Sequence, residues 1–165
     1  MKATLAEIEE VLQRLTETPD RIATTAEAMT AEQLQRRPDA KTWSANDILA
    51  HLRACADVWG ETIESMLQED EPTLRHISPR TYMKKSDYPA LPFQESFQAF
   101  VKQRDDLLRT LTGLEFTDWS RGALIKDRRH TVFTQARRMA LHEATHNEQI
   151  EALRDLFWAS QQGQK

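Results

Sequence analysis

Glycine, valine and cysteine are scarce in this sequence, and each shortage excludes a class of protein. Four glycines and four valines in 165 residues are too few for a protein built on β-sheet, because strands favour β-branched residues and their turns favour glycine. A single cysteine, Cys55, excludes an internal disulfide framework and favours a reducing compartment. No apolar run approaches the length of a membrane span, and the first residues carry acids where a signal peptide has an apolar segment. We therefore expect a cytoplasmic protein.

The residues that are abundant favour helices. Alanine, leucine, glutamate, glutamine and arginine dominate, and all of them stabilise α-helix. Hydrophobic residues make up 39% and charged residues 29%, which is typical of a globular chain. The formal net charge of −4 gives no sign of a general nucleic-acid surface, so we expect no nucleic-acid partner. We predict an all-α protein with one domain over residues 1–165.

Apolar periodicity predicts the helices and the segments between them. Thr18-Pro19 interrupts the first pattern, so a helix either continues through it or restarts there. Ser44 is a good N-cap for the next helix, and Thr30 opens a short turn that Pro38 closes. The tail 160–165 is expected to fray. The predicted helices are 4–17 with 19–29, 44–67, 93–112 and 131–158.

Two connections are long. Residues 69–92 contain four of the six prolines and show no sustained period. This segment is long enough to run back along a helix, so that the next helix is parallel to the last one, and it could also cover a site as a lid. Residues 114–131 are predicted to be irregular.

Two of the five histidines stand four residues apart on the last helix. This spacing places His142 and His146 on one face, in line with Met139 and Ile150, so both imidazoles should be buried or nearly so. Buried imidazoles without partners are costly, and one shared metal ion satisfies both. We therefore predict that His142 and His146 bind a metal.

A catalytic metal site usually has three protein ligands and an open position. His51 is the best third candidate, because it lies at the edge of the apolar stripe of the 44–67 helix and faces inward. Cys55, one turn further, is either a fourth ligand or a small buried apolar residue, and we favour the second interpretation. His76 and His130 fall in connections, where we expect surface positions, although His130 could line the mouth of a site.

The letters His142-Glu143-x-x-His146 also match a zinc-protease motif. The long form of that motif needs glycine at position 149 and histidine at position 152, where this chain has Gln149 and Ala152. The other form takes a third ligand from a downstream helix, and only nineteen residues follow His146. The protease interpretation is therefore not favoured.

Several stretches together resemble the DinB/YfiT-like metalloenzyme superfamily, from about residue 5 to 158. The order and spacing of the pieces carry the resemblance more than any one motif does. The pieces are Trp43-Ser44-x-x-Asp47-Ile48-Leu49-Ala50-His51-Leu52, Arg104 and Leu111 in a central helix, Trp119, and His142-x-x-x-His146-x-x-Gln149-Ile150-x-x-Leu153-Arg154.

The resemblance implies a four-helix bundle with an up-down-down-up course, which the 69–92 connection allows. It also implies a divalent metal ion, zinc or nickel, held by three histidines that correspond to His51, His142 and His146. Some members are similar in activity to S-transferases and isomerases that use a low-molecular-weight thiol such as mycothiol, bacillithiol or glutathione. Others resemble metal-dependent hydrolases. A thiol-dependent S-transferase acting on a small-molecule substrate is the favoured function, and a hydrolase is the alternative.

The side chains around these histidines leave further choices open. Glu143 and Glu148 are each a candidate base or a partner of a ligand, and an ordinary solvated position is favoured for both. A basic run before and at the start of the last helix could hold the carboxylates or phosphates of a thiol cofactor. A charged face balanced by acids is the favoured interpretation of that run. It comprises Lys126, Arg128, Arg129, Arg137 and Arg138.

The competing hypothesis is a non-enzymatic metal-binding protein of the stress-response kind. Such a protein would act through a homodimer interface made of exposed apolar residues. The candidates for that interface are Trp59, Phe97, Phe100 and Trp158.

Overall fold

The computed structural model describes residues 3–163, apart from the side chain of Gln161. Most of the described chain is helical, and a small three-stranded sheet lies beside the helices. The helices are α1 (Leu5–Glu27), α2 (Ala31–Gln35), α3 (Ala45–Gln68), α4 (Pro79–Lys85), α5 (Phe93–Thr112) and α6 (Val132–Gln162). The strands are β1 (Thr73–Leu74), β2 (Gly122–Ile125) and β3 (Arg128–Thr131).

The four long helices form a bundle. Helices α1 and α3 each pack against both α5 and α6, so the apolar stripes of all four meet along one core. Helix α3 spans two apolar clusters: its first half, to Leu52, packs in the cluster around Phe100 and Ile150, and its second half, from Cys55, packs in the cluster around Trp59 and Met139. The predicted four-helix bundle is confirmed.

Capping boxes fix where three of the bundle helices begin. The hydroxyls of Thr4, Ser44 and Thr131 accept hydrogen bonds from backbone N–H groups in the first turns of α1, α3 and α6. At α3 the cap is reinforced, because Asp47 accepts hydrogen bonds from the Ser44 backbone and from Arg37. The predicted N-cap at Ser44 is confirmed, and it sets the rotation of α3 two turns before His51.

Pro19 lies inside α1 without ending it. Proline has no N–H to donate to the carbonyl of Leu15 four residues earlier. Arg104 Nη1 on α5 donates to that carbonyl oxygen instead, at 3.4 Å. Of the two alternatives for residues 4–29, continuation is therefore correct, and a partner on another helix makes it possible.

The prediction that residues 114–131 are irregular is wrong for their second half. Strands β2 and β3 pair as an antiparallel hairpin closed by Lys126 and Asp127, which both have left-handed φ angles, 49° and 59°. Such two-residue turns usually have glycine as the second residue, where this chain has Asp127, so the sequence signal for the turn is weak. Gly122 is required in the hairpin, because a Cβ there would lie 2.5 Å from the His130 carbonyl oxygen.

The 69–92 connection is more ordered than its sequence suggests. It holds β1, which pairs in parallel with β2, then α4 and a 3₁₀ turn at Tyr88–Ala90. Met83 of α4 packs on Ala50 and Ala54 of α3, and the Tyr88 hydroxyl donates to Asp57 at 2.6 Å. The segment thus lies against α3, on the turns that flank His51.

The last helix extends further than predicted. Helix α6 runs to Gln162 instead of ending near Trp158, and the final residues of the tail, 164 and 165, lie outside the described residues. Within residues 3–163, no helix combines the length and the apolar character that crossing a membrane would need.

Candidate metal centre

His51, His142 and His146 meet between α3 and α6. The Nε2 atom of His142 lies 3.0 Å from Nε2 of His51 and 3.1 Å from Nε2 of His146. One nitrogen from each ring falls within 4.8 Å of the other two. His51 and His142 are 91 residues apart in sequence, and the packing of α3 on α6 brings together the three histidines that the sequence singled out.

The positions of the three rings follow from helix geometry. His142 and His146 are one turn apart on the inner face of α6, on the stripe of Met139 and Ile150, which are both buried. His51 and His146 are buried, at 4% and 7% exposure, and His142 is half-buried. The cluster is therefore set into the bundle with one edge open to solvent.

Burial keeps the three imidazoles neutral. Desolvation, with smaller contributions from neighbouring imidazoles and the Arg80 guanidinium, lowers the pKa of His51 and of His142 to about 4. Desolvation also lowers the pKa of His146, although the hydrogen bond to Gln149 opposes this effect. Neutral imidazole is the form that binds metal ions, so the three rings are in their ligating state at neutral pH.

The hydrogen-bond partner of His146 selects its tautomer. Its Nδ1–H donates to Gln149 Oε1 at 2.7 Å, which leaves a bare lone pair on Nε2. If His142 Nε2 carries a proton, it can donate that proton to only one of the two neighbouring nitrogens. If it carries none, it cannot donate to the bare Nε2 of His146. The two close Nε2 contacts of His142 therefore cannot both be good hydrogen bonds, and a cation among the nitrogens satisfies all three lone pairs.

The spacing of the nitrogens suits such a cation. Two imidazole nitrogens bound tetrahedrally to zinc at the usual 2.0–2.1 Å are roughly 3.3 Å apart. The two contacts of His142 Nε2, at 3.0 and 3.1 Å, are within a few tenths of an ångström of that value. The donor set and its spacing thus fit a divalent metal with open positions.

Two tryptophan–arginine pairs flank the cluster. The Trp43 ring lies 5.2 Å from the His51 ring, and the Arg80 guanidinium of α4 lies 5.1 Å from the Trp43 ring. On the other side, the Trp59 ring lies 5.1 Å from the ring of His142. The Arg138 guanidinium lies over the Trp59 ring, 4.6 Å from its centre. Cation–π contacts therefore hold one guanidinium on each flank of the cluster, so its surroundings are electropositive.

Clefts open on both sides of the cluster. A cleft of about 580 Å³ is lined by His146, Trp43 and Arg80, with Gln149 at its wall. A second cleft of about 780 Å³ is lined by His142 and Arg138. Both volumes are in the range that accommodates small molecules, so the histidines are accessible to a small substrate from two directions.

Cys55 is buried beside the cluster without joining it. Its Sγ lies 3.6 Å from His51 Nε2, yet the group of mutually close ligand atoms comprises the three histidines only, among the residues described. Burial raises the pKa of the thiol, and the nearby charge of Glu143 raises it further. Both features agree with the predicted role of a small apolar residue.

The solvated position predicted for Glu143 is wrong. Its side chain is completely buried and ion-paired with Arg104 of α5, which is also buried. Burial raises the pKa of Glu143, and the Arg104 charge opposes that effect. The Glu143 carboxylate is therefore paired with Arg104 inside the bundle core, so it cannot act as the base of a zinc protease. Glu148 is exposed, as predicted.

The predicted apolar surface is mostly interior. Trp59 is buried under Arg138, and Phe100 is buried beneath Arg104. Phe97 is half-buried and packs on the core, which leaves Trp158 as the one candidate of the four that is strongly exposed, at 64%. The interface proposed from sequence is wrong for the first three residues, because their apolar faces fill the bundle.

Sequence reasoning missed what surrounds the histidines. The distance of three residues between His146 and Gln149 was a usable signal, because such residues meet on one helix face. The pairing of Trp43 with Arg80 had no comparable signal, since Arg80 lies in a segment without periodicity.

A helical bundle with three convergent neutral imidazoles defines this protein as a candidate metalloprotein. Its sequence matches the DinB superfamily over residues 14–150, and the chain belongs to that family. Among solved structures it is similar to YfiT from Bacillus subtilis, with a TM-score of 0.83 and 17% identity over 94% of this chain and 90% of that one. YfiT is described as a probable metal-dependent hydrolase with an unusual four-helix bundle topology. No curated protein matches the sequence.

Proposed function

We propose that this protein is a divalent-metal-dependent enzyme in which His51, His142 and His146 hold the ion. The observation that carries the proposal is the convergence of three neutral imidazole nitrogens, of which His142 Nε2 cannot satisfy both neighbours by hydrogen bonds. Zinc or nickel suits a site of three imidazoles. A divalent ion bound there supplies a Lewis acid that lowers the pKa of a coordinated thiol or water.

The favoured reaction is transfer of a low-molecular-weight thiol to a small electrophile. A thiol has an ordinary pKa near 8.5, so a cation lowers it enough to give thiolate at neutral pH without a carboxylate base. This agrees with the surroundings of the cluster, where the charged groups that act on the imidazoles are Arg80 and Arg138. The thiolate sulfur forms the new bond to carbon, and the leaving group departs with its electron pair.

The chain's own residues have defined roles in this proposal. Gln149 orients His146 and keeps its Nε2 unprotonated. Trp43 packs beside His51 and Trp59 packs beside His142, and both shield the imidazoles from water. Arg80 and Arg138 attract an anionic reactant to the two clefts.

A metal-dependent hydrolase is the second candidate. The description of YfiT favours it, together with the structural similarity between the two chains. In that case water would take the place of the thiol and add to an ester or amide carbonyl, and the bond to the alcohol or amine would break as that group leaves with a proton.

Turnover assays distinguish the two candidates. Metal-loaded protein is mixed with a chlorinated nitroaromatic and glutathione, and separately with a nitrophenyl ester without thiol. We expect thiol-dependent release of chloride that is lost in His51→Ala and retained in Lys102→Ala, because Lys102 is exposed on α5 and lies outside the cluster and the clefts beside it. Ester cleavage without thiol would instead support the hydrolase. No turnover with any thiol or ester would favour the non-enzymatic metal-binding protein.

A cytoplasmic location and a homodimer remain parts of the proposal. The single cysteine is free and buried, which suits a reducing compartment. Trp158 and Leu156 are exposed apolar residues on the last turns of α6, and they are the present candidates for a dimer contact.

A further inference from the structure

A third cleft, of about 600 Å³, lies between α3, the small sheet and the start of α6. We call it the basic cleft. It shares Trp59 and Arg138 with the histidine cluster, because the Trp59 ring also contacts His142. Its wall includes Arg75, Lys126, Arg128, Arg138, Glu61 and His130.

Positive charge is concentrated in the basic cleft. Four cationic side chains line it, against a single carboxylate, that of Glu61. The protein as a whole has a net charge of −4, so this concentration runs against the overall charge. A concave surface lined by charges of one sign focuses the field and attracts ions of the opposite sign.

The cationic side chains of the basic cleft form no ion pairs within the part of the chain that the structure describes. Arg129 points elsewhere: it binds Glu71 through both Nε and Nη2 and donates to the Ser120 carbonyl. By contrast, its neighbour Arg128 and the other cleft cations form no salt bridge with any residue in the described range 3–163. Desolvation lowers the pKa of His130, and the charges of Arg138 and Arg128 lower it further.

The backbone holds one of these cations at a cost. Lys126 and Asp127 both adopt left-handed φ angles in the β2–β3 turn, a conformation that aspartate tolerates but that strains lysine. The turn sets Lys126 into the wall of the cleft, next to Arg128 on the following strand. Gln135, also in the wall, is 1% exposed and its Oε1 has no partner within the described chain.

We infer that the basic cleft is a binding site for the carboxylate or phosphate groups of an anionic reactant whose reacting end reaches the histidine cluster. The inference rests on the proposed function for the reacting end, and it gives that function a substrate class: a molecule with anionic groups remote from the sulfur or electrophilic carbon. Guanidinium groups recognise such anions by charge-assisted, bidentate hydrogen bonds. Trp59 and Arg138 line the basic cleft and also flank His142, so the two sites are adjacent.

Isothermal titration with citrate, a compact trianion, tests the cleft directly. Arg128→Gln and Arg75→Gln are compared with Arg129→Gln, which removes the same charge from the next residue but outside the cleft wall. We expect each cleft variant to weaken citrate binding about ten-fold, since a hydrogen bond to a charged group is lost. Arg129→Gln should change the affinity for citrate less than two-fold. An equal loss in all three variants, or no measurable citrate binding to the wild type, would overturn the inference.

Two thiol probes locate the anion on one of the two reactants. Mercaptosuccinate carries two carboxylates, and monothioglycerol is a neutral thiol of similar size. If Arg128→Gln weakens the binding of mercaptosuccinate but not of monothioglycerol, the remote anion belongs to the thiol. If it weakens the binding of citrate but of neither thiol, the anion belongs to the electrophile. Citrate is also titrated into metal-free protein, so loss of the metal proposal leaves this test intact.

Discussion

Burial determines the chemistry of the three histidines. An exposed imidazole has a pKa near 6.5 and is partly protonated at neutral pH. Desolvation lowers the pKa of His51 and of His142 to about 4, so these rings present lone pairs at any pH at which the protein would work. The sequence shows the residue type and the inward face, while the extent of desolvation depends on how α3, with Trp43 before it and Trp59 within it, packs against α6.

These lowered pKa values make the stability of the metal-free protein depend on pH. In the unfolded chain, histidines become protonated near pH 6.5, whereas in the folded protein His51 and His142 become protonated only near pH 4. Between these values the unfolded state binds more protons, so the free energy of unfolding falls as the pH falls. The slope is up to about 1.4 kcal/mol per pH unit for each imidazole, and the full contribution is present above pH 6.5.

Urea unfolding of metal-free protein at pH 4.5, 5.5 and 6.5 measures this slope. His51→Gln should reduce it, because the variant lacks one titrating group, and His76→Gln, at an exposed position, serves as the matched control. A free energy of unfolding that His51→Gln changes equally at all three pH values would contradict the account.

At the scale of helices, Arg104 joins three of the four bundle members. From α5 it pairs with Glu143 of α6 and donates to the Leu15 carbonyl of α1, which Pro19 leaves without a partner. The arginine is thus a substitute for a missing backbone donor and also the counter-charge of a buried carboxylate. Neither role could be predicted from the sequence, since both depend on which helix faces which.

Removing one member of this buried pair should be strongly destabilising. We expect Arg104→Met and Glu143→Leu each to lower the free energy of unfolding by about 3–5 kcal/mol, because each leaves a buried charge without a partner. The double variant should recover most of that loss, since it removes both charges. Denaturant unfolding provides the measurement.

The chain offers a matched control for this cycle. Arg21 and Glu151 also connect two bundle helices, α1 and α6, but both are partly exposed, and such pairs contribute about 0–1 kcal/mol. Arg21→Met should therefore have a small effect. Losses that simply add in the Arg104→Met/Glu143→Leu variant, or single losses as small as that of Arg21→Met, would show that the buried pair is not coupled.

For the whole molecule, the sequence predicted the four-helix bundle well and the segments that connect its helices poorly. Amphipathic periodicity and the caps at Ser44 and Thr131 are local signals, so helix positions could be derived from them. The hairpin around Lys126 could not be derived, because its turn lacks the glycine that such turns usually contain. The three histidines were predictable since their faces follow from helix period. Arg80 and the basic cleft depend on how the connections fold back.

The central claim is that one divalent ion is held by His51, His142 and His146. Protein without a polyhistidine tag is loaded with zinc or nickel, dialysed, and analysed for metal content by mass spectrometry. We expect one equivalent in the wild type and in His76→Ala, and near-complete loss in His51→Ala, His142→Ala and His146→Ala, because two imidazoles bind far more weakly than three. Full metal retention in His51→Ala and His142→Ala would contradict the account.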